Sequence, residues 1–173
     1  MNAILLFDID GTLVDTEGAG LRALRRGLHD AFPATAAHSF PSLDLGGATD
    51  GGVIAFLFSH FSIENSSENR VEFYAAYEGA LSDELYRSRE AGRGRVLPGV
   101  ADLLRHLEQN HDDKGRGLLT GNSENGARIK LQHFGIDGPF SFGAFGDDHH
   151  DRNRLGPIAL DRAAKTHGRE FSG

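Results

Sequence analysis

The chain has 173 residues, enough to bury a core either as one domain or as a small core carrying an insertion. Its net charge of −7 argues against nucleic acid or an anionic membrane as the main partner. The absence of cysteine excludes disulfides, thiolate metal sites and cysteine nucleophiles, and with no leader or span read from the sequence the cytoplasm is the expected location.

Ile4 to Phe7 is a short unbroken apolar run, followed by Asp8-Ile9-Asp10-Gly11. A run of that length, closed by a turn signal, predicts a strand buried on both faces. Asp8 and Asp10 stand two apart at its carboxyl end, so both carboxylates point to the same side. That end of an open α/β sheet is where ligands bind, and two adjacent like charges call for a cation or a proton between them. Asp-Gly is also a hairpin-turn signal, so spacing alone leaves a plain turn and a functional site both open.

After Asp15 the pattern becomes helical. Leu21, Leu24, Leu28 and Ala31 make one apolar stripe, with Thr16 the expected N-cap and Phe32-Pro33 the stop. Arg22, Arg25 and Arg26 face elsewhere and read as a solvated helix face. Residues 33–50 read as loop and Val53 to Phe61 as a short helix buried between neighbours. Arg70 to Arg89 reads as the longest helix, its stripe formed by Val71, Tyr74, Tyr77, Leu81 and Leu85. No strand is expected between 16 and 90.

Gly92 to Arg95 reads as a linker, and Pro98 is expected to open a helix with Val100, Leu103, Leu104 and Leu107 inward. Beyond a polar loop, Asn110 to Gly115, the run Gly117 to Leu119 predicts a second strand delivering Thr120-Gly121-Asn122-Ser123 at its end. Ser123 is the expected cap of a helix with Ala127, Leu131 and Phe134 on one side, and Gly135 ends it. Phe140 to Phe145 predicts a third strand, leading into Gly146 to Asp151, and Leu155 to His167 a last helix. This alternation of strands and helices predicts a parallel sheet covered by helices.

The string Asp8-Ile9-Asp10-Gly11-Thr12-Leu13-Val14-Asp15 resembles the first motif of the haloacid dehalogenase-like hydrolases, at the position where that family carries it. The resemblance implies an α/β fold: a Rossmann-like parallel-sheet core, residues 1–15 and 91–173, with an inserted all-helical cap, residues 16–90. It implies Asp8 as the nucleophile that forms an aspartyl-phosphate and Asp10 as the general acid/base. The family's dehalogenases lack the second aspartate, so Asp10 favours phosphate over halide chemistry. Thr120 resembles the second motif's phosphate-binding hydroxyl, with Gly121 offering close backbone approach and Asn122 another donor. Two arginines compete for the third motif's cation. Arg154 stands three residues before Pro157, and Arg152 follows Asp151 just ahead of the last helix; Arg152 is preferred. Mg²⁺ is the implied cofactor, with Asp8 and Asp10 as its ligands.

The fourth motif is where this sequence departs from the family. Gly146 to Asp151 fits Gly-Asp-x-x-x-Asp but precedes the arginines, so Asp147, Asp148 and Asp151 read as a solvated loop ahead of metal ligands, and His149 and His150 as solvent-exposed. The strand that should carry the motif is expected to begin where the sequence stops, at Gly173. The core is therefore expected to be C-terminally shortened, with an exposed sheet edge and self-association through it. The expected function is a Mg²⁺-dependent phosphatase for a small phosphorylated metabolite, similar to the phosphoglycolate phosphatase-like branch. A shortened, non-catalytic phosphate-binding or interaction domain, or a phosphomutase, is the alternative. The expected partner is a small phosphorylated substrate, with neither nucleic acid nor membrane.

Overall fold

The computed structural model describes residues 3–111 and 114–171. In chain order they form β1 (Ile4–Phe7), β2 (Val14–Asp15), α1 (Ala19–Ala31), α2 (Asp50–His60), α3 (Ser67–Glu90), β3 (Arg95–Val96), α4 (Val100–Asn110), β4 (Gly115–Leu119), α5 (Glu124–His133), β5 (Phe142–Ala144) and α6 (Leu155–His167). The centre of the expected polar loop, 112–113, and the last two residues, 172–173, lie outside the described residues.

β1, β4 and β5 form a parallel sheet in the order β1-β4-β5, with Leu6 opposite Gly117 and Gly117 opposite Phe142. Parallel pairing brings the three carboxyl ends to one edge, so the segments after Phe7, Leu119 and Ala144 converge. Gly117 is required by its neighbour, because a Cβ there would lie 2.3 Å from the Phe142 ring. The expectation that β1 is buried on both faces is corrected: all four of its residues are only half-buried. Among the described residues β1 pairs with β4 alone, so its other edge has no strand beside it.

The expected linker before Val96 is also corrected. Val14 pairs with Val96 and Asp15 with Arg95 in a two-residue antiparallel ladder, joined by an Arg95–Asp15 ion pair of 3.3 Å. Two-residue strands carry no periodic signal, and this pairing brings the two ends of the helical segment together.

Between those ends the helices close on their own apolar cluster, in which Leu28, Ile54, Leu57, Phe58, Phe73 and Leu81 are fully buried. Gly27 lets α1 approach α3, since a Cβ there would stand 2.7 Å from Tyr77 Cα. Arg22 and Arg26 reach across the same interface to Glu84 at 2.9 Å and Asp83 at 2.8 Å, so they bind α3 instead of forming a purely solvated face. Thr49 and Ser66 cap α2 and α3, accepting from the amides of Gly52 and Asn69. Both helices therefore start three residues before their expected first residues, in a polar first turn that adds nothing to an apolar stripe.

Five smaller expectations are corrected. The N-cap of α1 is Gly18, at φ 78°, and Thr16 contributes its carbonyl to the Ala19 amide instead. α4 begins at Val100 behind Gly99, at φ 82°, rather than at Pro98, and Leu103 points outward. On α3, Val71 is 70% exposed and Phe73 takes the inward place. The third strand is only Phe142–Ala144.

Candidate active site

The Asp-Gly segment after β1 is a turn and also a site. The Ile9 carbonyl accepts from the amides of Leu13 at 2.9 Å and Val14 at 3.0 Å, and Gly11 adopts φ 75°, which a residue with a Cβ rarely takes. Ile9 is fully buried in the cluster beneath the sheet end, with Leu13, Leu104, Leu118 and Leu131. The alternation of an extended chain then leaves Asp8 and Asp10 facing a cavity of about 400 Å³.

Each carboxylate is held by a cation from a different element. Arg152, in a short 3₁₀ turn ahead of α6, donates from Nη2 to Asp8 Oδ2, while Asp8 Oδ1 accepts from the Ile9 amide at 2.8 Å. Asp10 Oδ2 accepts from Lys130 Nζ at 2.6 Å and from Asn122 Nδ2 at 2.9 Å. Lys130 Nζ donates to Asn122 Oδ1 as well, at 2.6 Å, and Asn122 Nδ2 also reaches Thr120 Oγ1 at 2.8 Å. The loop carrying Thr120 to Asn122 is pinned to β5 and its exit: the Thr120 amide donates to the Ala144 carbonyl, and the Gly146 amide to the Asn122 carbonyl.

All six residues expected at the site, Asp8, Asp10, Thr120, Gly121, Asn122 and Arg152, are brought together. Arg154 is exposed on the same 3₁₀ turn, and Arg152 makes the contact with Asp8. The acidic segment after β5 is engaged elsewhere. Asp148 makes two bonds to Arg162, at 2.6 and 2.7 Å, Asp147 accepts from the Glu124 amide at the start of α5, and Asp151 caps the 3₁₀ turn. Among the described residues no group of three or more His, Asp or Glu side chains is arranged to hold a metal ion.

Two residues of the site escaped the sequence reading. Lys130 is only 5% exposed, and a lysine is almost never buried unless paired. Its signal is present in the sequence, since position 130 falls on the inward stripe of α5, three after Ala127 and four before Phe134. Asp50, at the first position of α2, carried no such signal. Its amide donates to the Gly121 carbonyl at 2.7 Å and its Oδ2 accepts from the Ser123 amide at 2.8 Å, while the Gly51 amide donates to the Gly146 carbonyl at 3.1 Å. The first amides of α2, which have no partner within the helix, are thus satisfied by the loops after β4 and β5. This approach needs glycine at two points: a Cβ on Gly121 would lie 2.1 Å from the Ala48 carbonyl oxygen, and one on Gly146 would lie 1.9 Å from that of Gly121. Burial pushes the Asp50 carboxyl above the usual carboxylate range, against the opposing pull of the Lys130 charge and the Ser123 amide.

A parallel sheet with helices around it, a helical cap over its carboxyl edge and two cation-held aspartates after the first strand define a class of hydrolase. The chain belongs to the haloacid dehalogenase-like hydrolases, whose family model matches residues 5–173. Among solved structures it is similar to CbbY from Rhodobacter sphaeroides in complex with phosphate, at 21% identity and a TM-score of 0.63, covering 98% of this chain and 84% of that one. It is similar to a hydrolase from Pseudomonas syringae at 20% identity and a TM-score of 0.58, over 98% and 72% of the two chains. It also resembles a haloacid dehalogenase-like family hydrolase from Streptococcus pneumoniae at 18% identity and a TM-score of 0.51, over 97% and 71%. At these identities the likeness establishes the fold. No curated protein matches the sequence.

Proposed function

We propose that the chain is a phosphoric monoester hydrolase acting through an aspartyl-phosphate on Asp8. The observation that carries this reading is the pairing of Asp8 with Arg152 and of Asp10 with Lys130 and Asn122, at the point where three strand ends meet. A carboxylate that attacks a phosphate dianion meets repulsion, so the site must supply positive charge and aimed donors in advance. Arg152 and Lys130 supply the charge, and Thr120 and Asn122 the donors. Asp8 attacks phosphorus as the bond to the leaving alcohol breaks, and Asp10 gives that alcohol its proton. Asp10 then takes a proton from a water molecule whose oxygen attacks phosphorus, and the Asp8 carboxylate is released with inorganic phosphate.

Members of the family generally use Mg²⁺, and the donor set fits it. Mg²⁺ is bound through one or two carboxylates and completes its shell with water and phosphate oxygens. Asp8 and Asp10 would hold it, and Asp10 Oδ1 accepts no hydrogen bond from a described residue. Bound there, the ion would neutralise charge on the transferring phosphoryl group.

The test is hydrolysis of an aryl phosphate with and without Mg²⁺, beside Asp8→Asn. Turnover that needs both is expected; turnover unchanged in Asp8→Asn would refute the covalent route. A second reading, an interaction domain that self-associates, is favoured by the open edge of β1. Gel filtration separates it: a concentration-dependent dimer without turnover supports association, and an active monomer removes it.

A further inference from the structure

The cavity above Asp8 and Asp10 has walls of opposite character. Its floor holds both of its cations, Lys130 and Arg152, and each already lies on a carboxylate. On the cap side the large side chains are Leu21 and Leu24 of α1, Leu45 of the following loop, Val53 of α2 and Tyr77 of α3, set among Thr16, Thr49 and several glycines. Leu21 and Leu45 are each 41% exposed, whereas Leu24, Val53 and Tyr77 on the same wall are buried. An apolar side chain left in water on the wall of a cavity is placed to meet the apolar part of a ligand.

Among the described residues no cation of the cap lines the cavity. Arg22 is bound to Glu84 and to Ser88 at 2.8 Å, Arg26 is bound to Asp83, and neither faces the cavity. The charged group that the cap does contribute is Asp50, a carboxylate. A second anionic group on a substrate would therefore lie against leucine and valine, or close to Asp50. The first arrangement leaves a charge desolvated and unpaired, and the second sets like charges together. At about 400 Å³ the cavity lies near the lower end of small-molecule sites, so the organic part must be compact.

We infer that the site takes monophosphate esters of a compact, uncharged and largely apolar alcohol, and rejects substrates with a second phosphate or a carboxylate. This rests on the phosphatase reading above for its chemistry, but its selectivity shows in binding as well as in turnover. It departs from the expected likeness to phosphoglycolate phosphatases, whose substrate carries a carboxylate.

The experiment uses matched pairs whose leaving groups differ little: benzyl phosphate against its 4-carboxy derivative, and the two corresponding non-hydrolysable phosphonates. The carboxylated ester is expected to show kcat/KM lower by about 10²-fold, and the carboxylated phosphonate a Kd higher by a similar factor, as an unpaired desolvated charge implies. Leu21→Arg, which sets a cation on the cap wall, is expected to narrow both ratios about tenfold. Equal or better use of the carboxylated ester by the unaltered chain overturns the inference, and so does equal binding of the two phosphonates or binding of neither. If no ester is hydrolysed but benzylphosphonate is still preferred, the inference stands and the phosphatase reading fails.

Discussion

The helical cap and the first strand of the parallel sheet bury their apolar residues to very different degrees. In the cap, α1, α2 and α3 close on one another, and Phe58, Phe73, Leu57 and Leu81 are fully buried among them. In the sheet, the strand that leads into both candidate catalytic aspartates is half-buried along its whole length, and one of its edges has no neighbouring strand among the described residues. The region with the most complete core thus holds none of the proposed catalytic groups. The proposed chemistry instead depends on a strand held from one side and on cations reaching it from α5 and from the turn before α6. What joins the two regions is the β2–β3 ladder, the amides of α2 on the loops after β4 and β5, and the packing of α3 on α5, where Asn125 Nδ2 donates to Glu78 Oε1 at 3.0 Å.

The sharpest way to separate them is Asp10→Asn, which removes the proposed general acid/base. Its kcat is expected to fall about 10²–10⁴-fold with the cap intact, measured at saturating aryl phosphate with circular dichroism as the control. The burial contrast itself is tested by paired truncations. Phe58→Ala is expected to cost about 3–5 kcal/mol of stability, whereas Leu6→Ala in half-buried β1 should cost only about 1 kcal/mol. Comparable losses in urea titrations would show that β1 is as fully packed as the cap.

The junction is probed by Gly121→Ala. The added methyl would displace the Ala48 carbonyl from the loop that carries the phosphate donors, so activity should fall by about 10²-fold, with a loss of stability of about 1–3 kcal/mol. Lys130→Met keeps the volume and removes the buried cation. Losing a charged hydrogen bond of about 1.5–3 kcal/mol in the transition state implies a decrease of about 10–100-fold in kcat. A decrease in stability alone, with kcat preserved, would make Lys130 structural.

The smallest effect lies in the cap. Burial, helped by the Arg25 charge and opposed by Asp30, holds the His29 imidazole below its ordinary value of 6.5. The unfolded chain then binds the proton first, so stability is fully present above about pH 6.5 and declines as pH falls toward the lowered folded value. His29→Gln should flatten that slope in melting curves recorded across the interval.

Much of the site was legible because its signals are local. Asp8 and Asp10 follow an apolar run, Thr120 to Asn122 end the next, and Arg152 stands just ahead of the last helix. The preference for Arg152 over Arg154 agrees with the contact to Asp8, although proline spacing favoured the other. Lys130 was visible only as a charge out of place on an apolar stripe. Asp50 could not be read, because its role depends on a backbone contact with Gly121, 71 positions further along the chain.

By itself the sequence determined the alternation of strands and helices, the two carboxylates at the end of the first strand, and the glycine and hydroxyl residues at the ends of the others. Those features follow from backbone propensity and side-chain period, which act over a few residues. Only the tertiary structure decided that β1 pairs with β4 alone among the described residues, that a lysine from α5 lies on Asp10, and that the cap turns leucine and valine side chains toward the site. Each of these depends on which distant segments exclude water from one another, and no local pattern encodes that.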